Sequence, residues 1–145
     1  MGAQPSSSTN IHASAVALGP ERGVLIRGAS GAGKSLLALR LMAYGAQLVA
    51  DDRVDLSVEG GQLIARPPPQ ILGRIEAREV GLLHAEPLAR ARIVLCVNLD
   101  ELETRRLPEQ RKDRVLGVEL PLVLRVQHSH LDVAILQWLK GGRWA

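Results

Sequence analysis

The chain has 145 residues, of which 46% are apolar and 2% aromatic, and it carries a net charge of +3. This length suits one compact domain whose core needs neither disulfides nor a structural metal, and the single cysteine excludes an internal disulfide. The positive charge comes from arginines spread along the chain, and few aromatic side chains could stack on bases, so we expect no nucleic-acid partner.

Targeting signals are the next feature that the composition bears on. The N-terminus lacks the basic and apolar regions of a signal peptide. No apolar stretch approaches the roughly 20 residues that a helix needs to cross a bilayer. We therefore expect a cytoplasmic protein without membrane association.

The first half of the chain alternates short strands with one helix. Residues 1–10 are expected to form a disordered tail, and residues 11–145 one domain. The apolar segments "IHASAVAL" (11–18) and "RGVLIRG" (22–28) flank a Gly-Pro turn and predict two adjacent strands. Helical spacing over 34–44 ends at Gly45. "AQLVA" (46–50) then predicts a short buried strand that ends at Asp51 and Asp52.

The second half is predicted to be mainly strands. "RVDLSVEGGQLIARPP" (53–68) indicates a hairpin that turns at Gly60 and Gly61, whereas residues 70–86 fit either strand or loop. "RIVLCVNLD" (92–100) and "GVELPLVLRV" (117–126) predict strands, the first with Cys96 buried. The highly charged stretch Asp100–Arg114 predicts an exposed, mobile loop. "HLDVAILQWLK" (130–140) predicts a helix with an inward face of Leu131, Ile135, Leu136 and Leu139.

A phosphate-binding loop is the first functional motif. "GASGAGKS" satisfies G-x-x-x-x-G-K-[ST] between a predicted strand and a predicted helix, which is the context that the motif requires. Glycines allow backbone N–H groups to surround a phosphate chain at the positive end of the helix. The alternative is a glycine-rich turn without a ligand. We predict nucleotide contacts from Gly28, Ala29, Ser30, Gly31, Ala32, Gly33, Lys34 and Ser35, with Lys34 on the phosphates and Ser35 on Mg²⁺.

The aspartate pair after the next strand is the second motif. Phosphoryl transfer with a Mg²⁺-nucleotide needs an acidic residue near the metal and a carboxylate that accepts the proton of the incoming hydroxyl. Successive strand residues point to opposite faces, so Asp51 and Asp52 cannot both face one metal if the strand continues through them. We expect them to divide the two tasks. An acidic turn that caps the next segment is the alternative.

The order of these motifs resembles the catalytic domain of HPr kinase/phosphorylase, the bacterial enzyme that phosphorylates a serine of the phosphocarrier protein HPr. The likeness runs from about Asn10 to the last helix and includes "IHASAVAL", "GASGAGKS", "AQLVADDRVDL", "IEAREVGLL" and "KDRVLGVELP". It implies an α/β P-loop kinase domain of the HPr kinase/PEP carboxykinase type, with a mixed β-sheet and few flanking helices. It also implies a short form of the enzyme, without the additional N-terminal domain of longer members.

Site residues follow from the resemblance by position. His12 matches the active-site histidine upstream of the loop, and Asp52 matches the base of the forward reaction, with Asp51 near the metal. Glu76 matches a second Mg²⁺ ligand beside Ser35. Arg114 matches an arginine that stabilises phosphoryl charge. The resemblance thus implies catalytic roles for His12, Lys34, Asp51, Asp52 and Arg114.

Two segments depart from the family pattern. The chain has "REVG", with Glu79, where the family has "RGLG", and "VQHSHLD" where the family has a "PGRN" segment linked to dephosphorylation. We therefore expect an ATP- and Mg²⁺-dependent serine kinase acting on HPr or an HPr-like carrier, without a firm expectation for the reverse phosphorolysis. The family assembles as hexamers, which implies a homo-oligomer.

Two other functions use the same loop. A small-molecule kinase or a nucleotide hydrolase would turn over ATP without a protein acceptor. A non-catalytic ATP sensor would bind the nucleotide without turnover, and the two altered segments are compatible with that alternative.

Overall fold

The computed structural model describes residues 8–145. Short strands dominate the described residues, with two helices and one 3₁₀ turn at Pro69–Ile71. The helices are α1 (Lys34–Ala43) and α2 (Leu131–Gly141). The strands are β1 (Ser8–Ile11), β2 (Ala13–Ala17), β3 (Gly23–Arg27), β4 (Gln47–Ala50), β5 (Val54–Glu59), β6 (Gln62–Arg66), β7 (Arg74–Ala77), β8 (Gly81–His84), β9 (Ala91–Leu102), β10 (Arg111–Val115) and β11 (Val118–Arg125).

A mixed sheet centred on β9 organises the fold. On one side the order is β9-β3-β2-β4, with β3 parallel to β9 and β2 antiparallel to both β3 and β4. Strand β9 also pairs with β11 in parallel along its second half and with β6 at its start, which continues the sheet through β5 to β1. The α/β class and the mixed sheet with few helices are confirmed. A separate hairpin, β7–β8, occupies the segment that the sequence left undecided.

Two apolar cores lie on opposite faces of the central strands. Alternate side chains of β2 divide between them, as expected for a period of two residues. The helix-side core includes Val16, Ile26, Leu37, Leu41, Ile135, Leu136 and Leu139, so α1 and α2 cover this face. The strand-side core includes Ala13, Ala15, Leu25, Leu56, Leu63, Ile93, Cys96, Val115 and Leu120. Burial raises the pKa of the Cys96 thiol to about 12, which fits the buried cysteine that the sequence predicted.

The strand directions bring the predicted motifs to one edge of the sheet. Strands β3 and β9 end there, and so does β4, which runs parallel to β3 with β2 between them. Because β2 is antiparallel to its two neighbours, its first residue lies at the edge where theirs end. This edge therefore carries His12, residues 28–33, Asp51 and Asp52, and Asp100.

The predicted mobile loop over Asp100–Arg114 is wrong at both ends. Strand β9 continues to Leu102, and Arg111–Val115 form β10, which pairs with β11. Ion pairs explain why the strand pattern was hidden: Arg111 donates two hydrogen bonds to Glu103, at 2.8 and 3.0 Å. These bonds lower the pKa of Glu103 to about 2. Charged side chains thus occupy inward positions of β10 that apolar residues usually fill.

The N-terminal tail is also shorter than predicted where the structure describes it. Residues 8–10 belong to β1, which pairs antiparallel with β5 from Ser8–Ser57 to Ile11–Val54. Residues 1–7 lie outside the described part of the chain. In the described part, no helix has both the length and the apolar character needed to span a bilayer.

Candidate active site

The phosphate-binding loop connects β3 to α1 and depends on its glycines. Gly31 and Gly33 have φ angles of 86° and 104°, in the left-handed region that side chains disfavour. Gly28 is needed for space, because a Cβ there would lie 3.0 Å from the Cβ of Ala32 and 3.2 Å from that of Leu99. The predicted context of strand, glycine loop and helix is present, and the free N–H groups of the first turn of α1 face the loop end.

Lys34 is the only ammonium group that the loop itself holds. Lys34 is only 6% exposed. Its Nζ donates hydrogen bonds to the carbonyl oxygens of Gly28 at 2.7 Å and Ala29 at 3.1 Å. An ammonium group has three N–H donors. The third donor is available to a phosphate oxygen, as the sequence motif predicts.

Asp51 lies at the centre of a buried hydrogen-bond network. Its Oδ1 accepts hydrogen bonds from Ser35 Oγ at 2.6 Å and Ser14 Oγ at 3.1 Å, and its Oδ2 accepts one from the backbone N–H of Glu76 at 3.0 Å. The residue is 6% exposed. Asp51 thereby links three separate segments: strand β2, the start of α1 and the β7–β8 hairpin.

Ser14 is a site residue that the sequence analysis did not select. It is fully buried in β2, and its Oγ also accepts a hydrogen bond from the backbone N–H of Asp52 at 3.1 Å. A lone hydroxyl between the alanines of an apolar strand was the available signal, because a buried polar group needs partners.

The Asp52 carboxylate pairs with His12 rather than with the partners of the Asp51 carboxylate. Asp52 Oδ1 lies 2.6 Å from His12 Nε2, and the two side chains are 66% and 36% exposed. Asp52 has a φ of 69°, and its carbonyl oxygen accepts a hydrogen bond from Ala13 N–H at 3.2 Å. Since β4 ends at Ala50, the strand does not continue through the pair. The two carboxylates are therefore divided by this turn rather than by strand alternation.

An open cleft of about 420 Å³ lies beside the aspartate pair. Its lining combines the two aspartates with residues of the β7–β8 hairpin and of the segment before it. Glu76 lies on this wall, so the structure brings it to the same cleft as Asp51 and Asp52. The lining residues are Asn10, Asp51, Asp52, Arg53, Pro68, Gln70, Ile71, Arg74, Glu76 and Leu82.

Asp100 is a second residue that the sequence analysis did not place in the site. It lies on β9, and its Oδ1 accepts a hydrogen bond from the backbone N–H of Ala29, in the phosphate-binding loop, at 2.9 Å. Its own N–H donates to Asn98 Oδ1 at 2.9 Å. The end of β9 thus holds the first turn of the loop.

Arg114 is not among the residues that line the cleft. It is exposed on β10 opposite Glu119, and its backbone N–H donates to Asp113 Oδ1 at 2.8 Å. Asp113 also accepts a hydrogen bond from Arg27, the residue before the phosphate-binding loop, at 2.8 Å. The catalytic role of Arg114 stays a prediction.

The donor set suits a Mg²⁺ ion that is bound together with phosphates. Ser35 and Asp51 supply a hydroxyl and a carboxylate in direct contact, and Glu76 adds a carboxylate on the same cleft wall. Within residues 8–145, no group of three or more His, Cys, Asp or Glu side chains could hold a metal by itself. Mg²⁺ typically takes one or two carboxylates and completes its shell with substrate phosphates and water.

Comparison with known proteins gives one consistent likeness. Residues 3–128 match the family model described as the HPr serine kinase C-terminal domain. The HPr kinase/phosphorylase of Halalkalibacterium halodurans is 37% identical over 112 residues, which are 68% of this chain and 36% of that relative. HPr kinase/phosphorylase 1 of Oceanobacillus iheyensis is 38% identical over 120 residues, which are 77% of this chain and 37% of that relative.

A solved structure shows the same likeness in three dimensions. The HPr(Ser) kinase/phosphatase from Coxiella burnetii superposes with a TM-score of 0.75 at 27% identity, covering 91% of this chain and 94% of that one. The chain thus spans little more than a third of the length of the two curated relatives and nearly all of the solved chain.

Proposed function

This chain belongs to the HPr serine kinase C-terminal domain family, and we propose that it transfers the γ-phosphoryl group of ATP to a serine of HPr or an HPr-like phosphocarrier protein. One observation carries the proposal. The Ser35–Asp51 hydrogen bond stands between the phosphate-binding loop and the exposed His12–Asp52 pair, at one edge of the sheet. Donor phosphates and an acceptor hydroxyl can therefore meet there.

The loop residues bind and orient the triphosphate. Backbone N–H groups of residues 28–33 and of the first turn of α1 donate to phosphate oxygens, and Lys34 adds a cation at the mouth of the loop. The Asp100 carboxylate accepts a hydrogen bond from the backbone N–H of Ala29 and so holds Ala29 in place. The loop is ordered before the reaction begins, which reduces the free-energy cost of arranging hydrogen-bond donors around the transferred phosphoryl group.

Ser35, Asp51 and Glu76 are the residues that would hold Mg²⁺. The sequence analysis named Ser35 and Glu76 as ligands and placed Asp51 near the metal, and the 2.6 Å contact between Ser35 and Asp51 makes Asp51 a further candidate ligand. Bound there, Mg²⁺ would neutralise charge on the phosphate oxygens.

Asp52 accepts the proton of the acceptor serine. As the serine oxygen forms its bond to the γ-phosphorus, the bond from that phosphorus to the bridging oxygen breaks, ADP leaves, and the serine proton passes to the Asp52 carboxylate. His12 Nε2, 2.6 Å from Asp52 Oδ1, holds the carboxylate in position. Asp52 is exposed, so a serine on the surface of another protein can reach it.

Several finer parts of the proposal rest on family membership. We place the reaction in the cytoplasm, in a homo-oligomer of six subunits, and assign Arg114 to the stabilisation of phosphoryl charge. We do not extend the proposal to phosphorolysis, because "VQHSHLD" replaces the "PGRN" segment of the family. In the structure, Glu79 at the "REVG" departure adopts a left-handed φ of 65°, a conformation suited to the family's glycine.

Incubation of the purified chain with γ-labelled ATP, Mg²⁺ and purified HPr tests the proposal. We expect acid-stable label on a serine of HPr, lost with Asp52→Asn and retained with Glu21→Gln, which removes an exposed carboxylate in the β2–β3 turn. ATP hydrolysis without labelled HPr would instead indicate a hydrolase or a small-molecule kinase. Nucleotide binding without turnover would indicate an ATP sensor.

A further inference from the structure

Two arginines line the cleft beside Asp52, and their side chains pair with no described residue. Arg53 and Arg74 both belong to the cleft lining and are exposed. Neither side chain makes an ion pair or a hydrogen bond within residues 8–145, whereas Arg66 and Arg90, for example, both pair with Glu59. The cleft therefore presents two guanidinium groups to whatever enters it.

The β7–β8 register fixes where Arg74 stands relative to the metal-side carboxylates. Arg74 pairs with His84 and Glu76 with Leu82, and the intervening Ile75 is buried. Arg74 and Glu76 thus share one face of the hairpin, two residues or about 6.6 Å apart along β7. Arg74 is the first residue of β7 and precedes Glu76 by one side-chain repeat.

Each acidic residue of the cleft has another partner or an assigned role, which leaves the arginines for another ligand. Glu76 is a proposed Mg²⁺ ligand. Asp51 is bound to Ser35, Ser14 and the N–H of Glu76, and Asp52 is bound to His12. The lining of this cleft includes neither Lys34 nor any other residue of the phosphate-binding loop. The arginines are therefore placed for the acceptor rather than for the nucleotide.

We propose that Arg53 and Arg74 are specificity residues that select an acceptor segment carrying a carboxylate close to the target serine. This inference rests on the proposed function. Arg53 directly follows Asp52, where the proposed function places the acceptor serine, and Arg74 lines the same cleft. Guanidinium groups bind carboxylates through paired N–H donors, and Leu82, which is 62% exposed, gives the same wall an apolar contact.

A panel of purified HPr proteins tests the inference. Each carries Asp, Asn or Lys at a single position, one or two residues before or after its acceptor serine. With the wild-type chain, we expect kcat/KM to fall in the order Asp, Asn, Lys on one side of the serine, through KM with kcat unchanged. The binding of each fluorescently labelled HPr, measured by anisotropy, should follow the same order.

Variants of the chain identify which residues cause the preference for an acidic acceptor. Since exposed ion pairs are weak, we expect Arg53→Gln and Arg74→Gln each to reduce the preference for Asp over Asn about threefold and the double variant about tenfold. Arg22→Gln, a matched change in the β2–β3 turn at the other end of β3, should leave it unaltered. The KM for ATP should not change in any of them.

The outcomes separate this inference from the proposed function. Equal use of the three acceptors by the wild-type chain, or a preference that survives in the double variant, overturns the inference while the kinase assignment stands. A rise in the KM for ATP in Arg53→Gln or Arg74→Gln assigns the arginines to the nucleotide and also overturns it. If no HPr is phosphorylated, the proposed function fails, and the anisotropy order still decides whether the cleft selects a carboxylate.

Discussion

Replacing each aspartate of the pair by asparagine separates a residue that stabilises the fold from one that the proposed function places beside the acceptor serine. The change keeps the side-chain volume and removes one charge in both variants. In Asp51→Asn the amide can still contact all three partners: its oxygen accepts from the N–H of Glu76, and its NH₂ donates to the two serine hydroxyl oxygens, which reverses those two hydrogen bonds. What is lost is the charge that strengthens these bonds.

The expected cost of Asp51→Asn is about 2 kcal/mol. Charged hydrogen bonds contribute about 1.5 kcal/mol or more each and neutral ones about half as much, and three bonds are weakened. Asp52→Asn weakens one exposed contact to His12, which is expected to cost less than about 0.5 kcal/mol. Asparagine also tolerates the left-handed φ of Asp52, so backbone strain should not increase.

Thermal unfolding followed by circular dichroism measures the difference. The entropy of unfolding for a chain of this length is about 0.3 kcal/mol/K, so we expect Tm to fall by about 7 °C in Asp51→Asn and by less than about 2 °C in Asp52→Asn. Serine phosphorylation should be lost in Asp52→Asn despite its native stability. Equal Tm values for the two variants would refute the network that the structure assigns to Asp51.

Three further predictions test the loop, an ion pair and a turn. Gly28→Ala places a Cβ 3.0 Å from another side chain of the loop, so we expect about tenfold weaker binding of a fluorescent ATP analogue; an unchanged Kd would contradict this. The pKa of Glu103, lowered to about 2 by the Arg111 hydrogen bonds, predicts a contribution to stability that is complete above pH 4.5 and lost as the pH falls towards 2. Urea unfolding at pH 7 and pH 3 should show a smaller difference for Glu103→Gln than for the wild type, and an equal difference would count against the pair. Glu79→Gly should raise the stability by about 0.5 kcal/mol, because glycine relieves the left-handed φ of 65° but makes the unfolded chain more flexible; Arg78→Gly, without a positive φ, should lower it.

The local elements of the fold were predictable because their signals lie within short segments. A glycine loop between an apolar strand and a helix depends on neighbouring residues alone, and helix α1 begins at Lys34 as the motif requires. The inward face of α2 also follows from spacing, since Ile135, Leu136 and Leu139 are buried. Strand β10 was missed because Arg111 and Asp113 use ion-pair partners outside their own segment: Glu103 is 8 positions from Arg111, and Arg27 is 86 positions from Asp113.

The sequence by itself determined the phosphate-binding loop, the helix after it and the presence of two carboxylates at the end of the next strand. Only the tertiary structure decided which partners each carboxylate binds. Antiparallel β2, inserted between β3 and β4, brings Ser14 to Asp51 and His12 to Asp52 across about 40 positions of chain. Hydrogen-bond partners at such separations are set by sheet order and strand direction, which depend on the packing of the whole domain and not on the spacing of residues in any one segment.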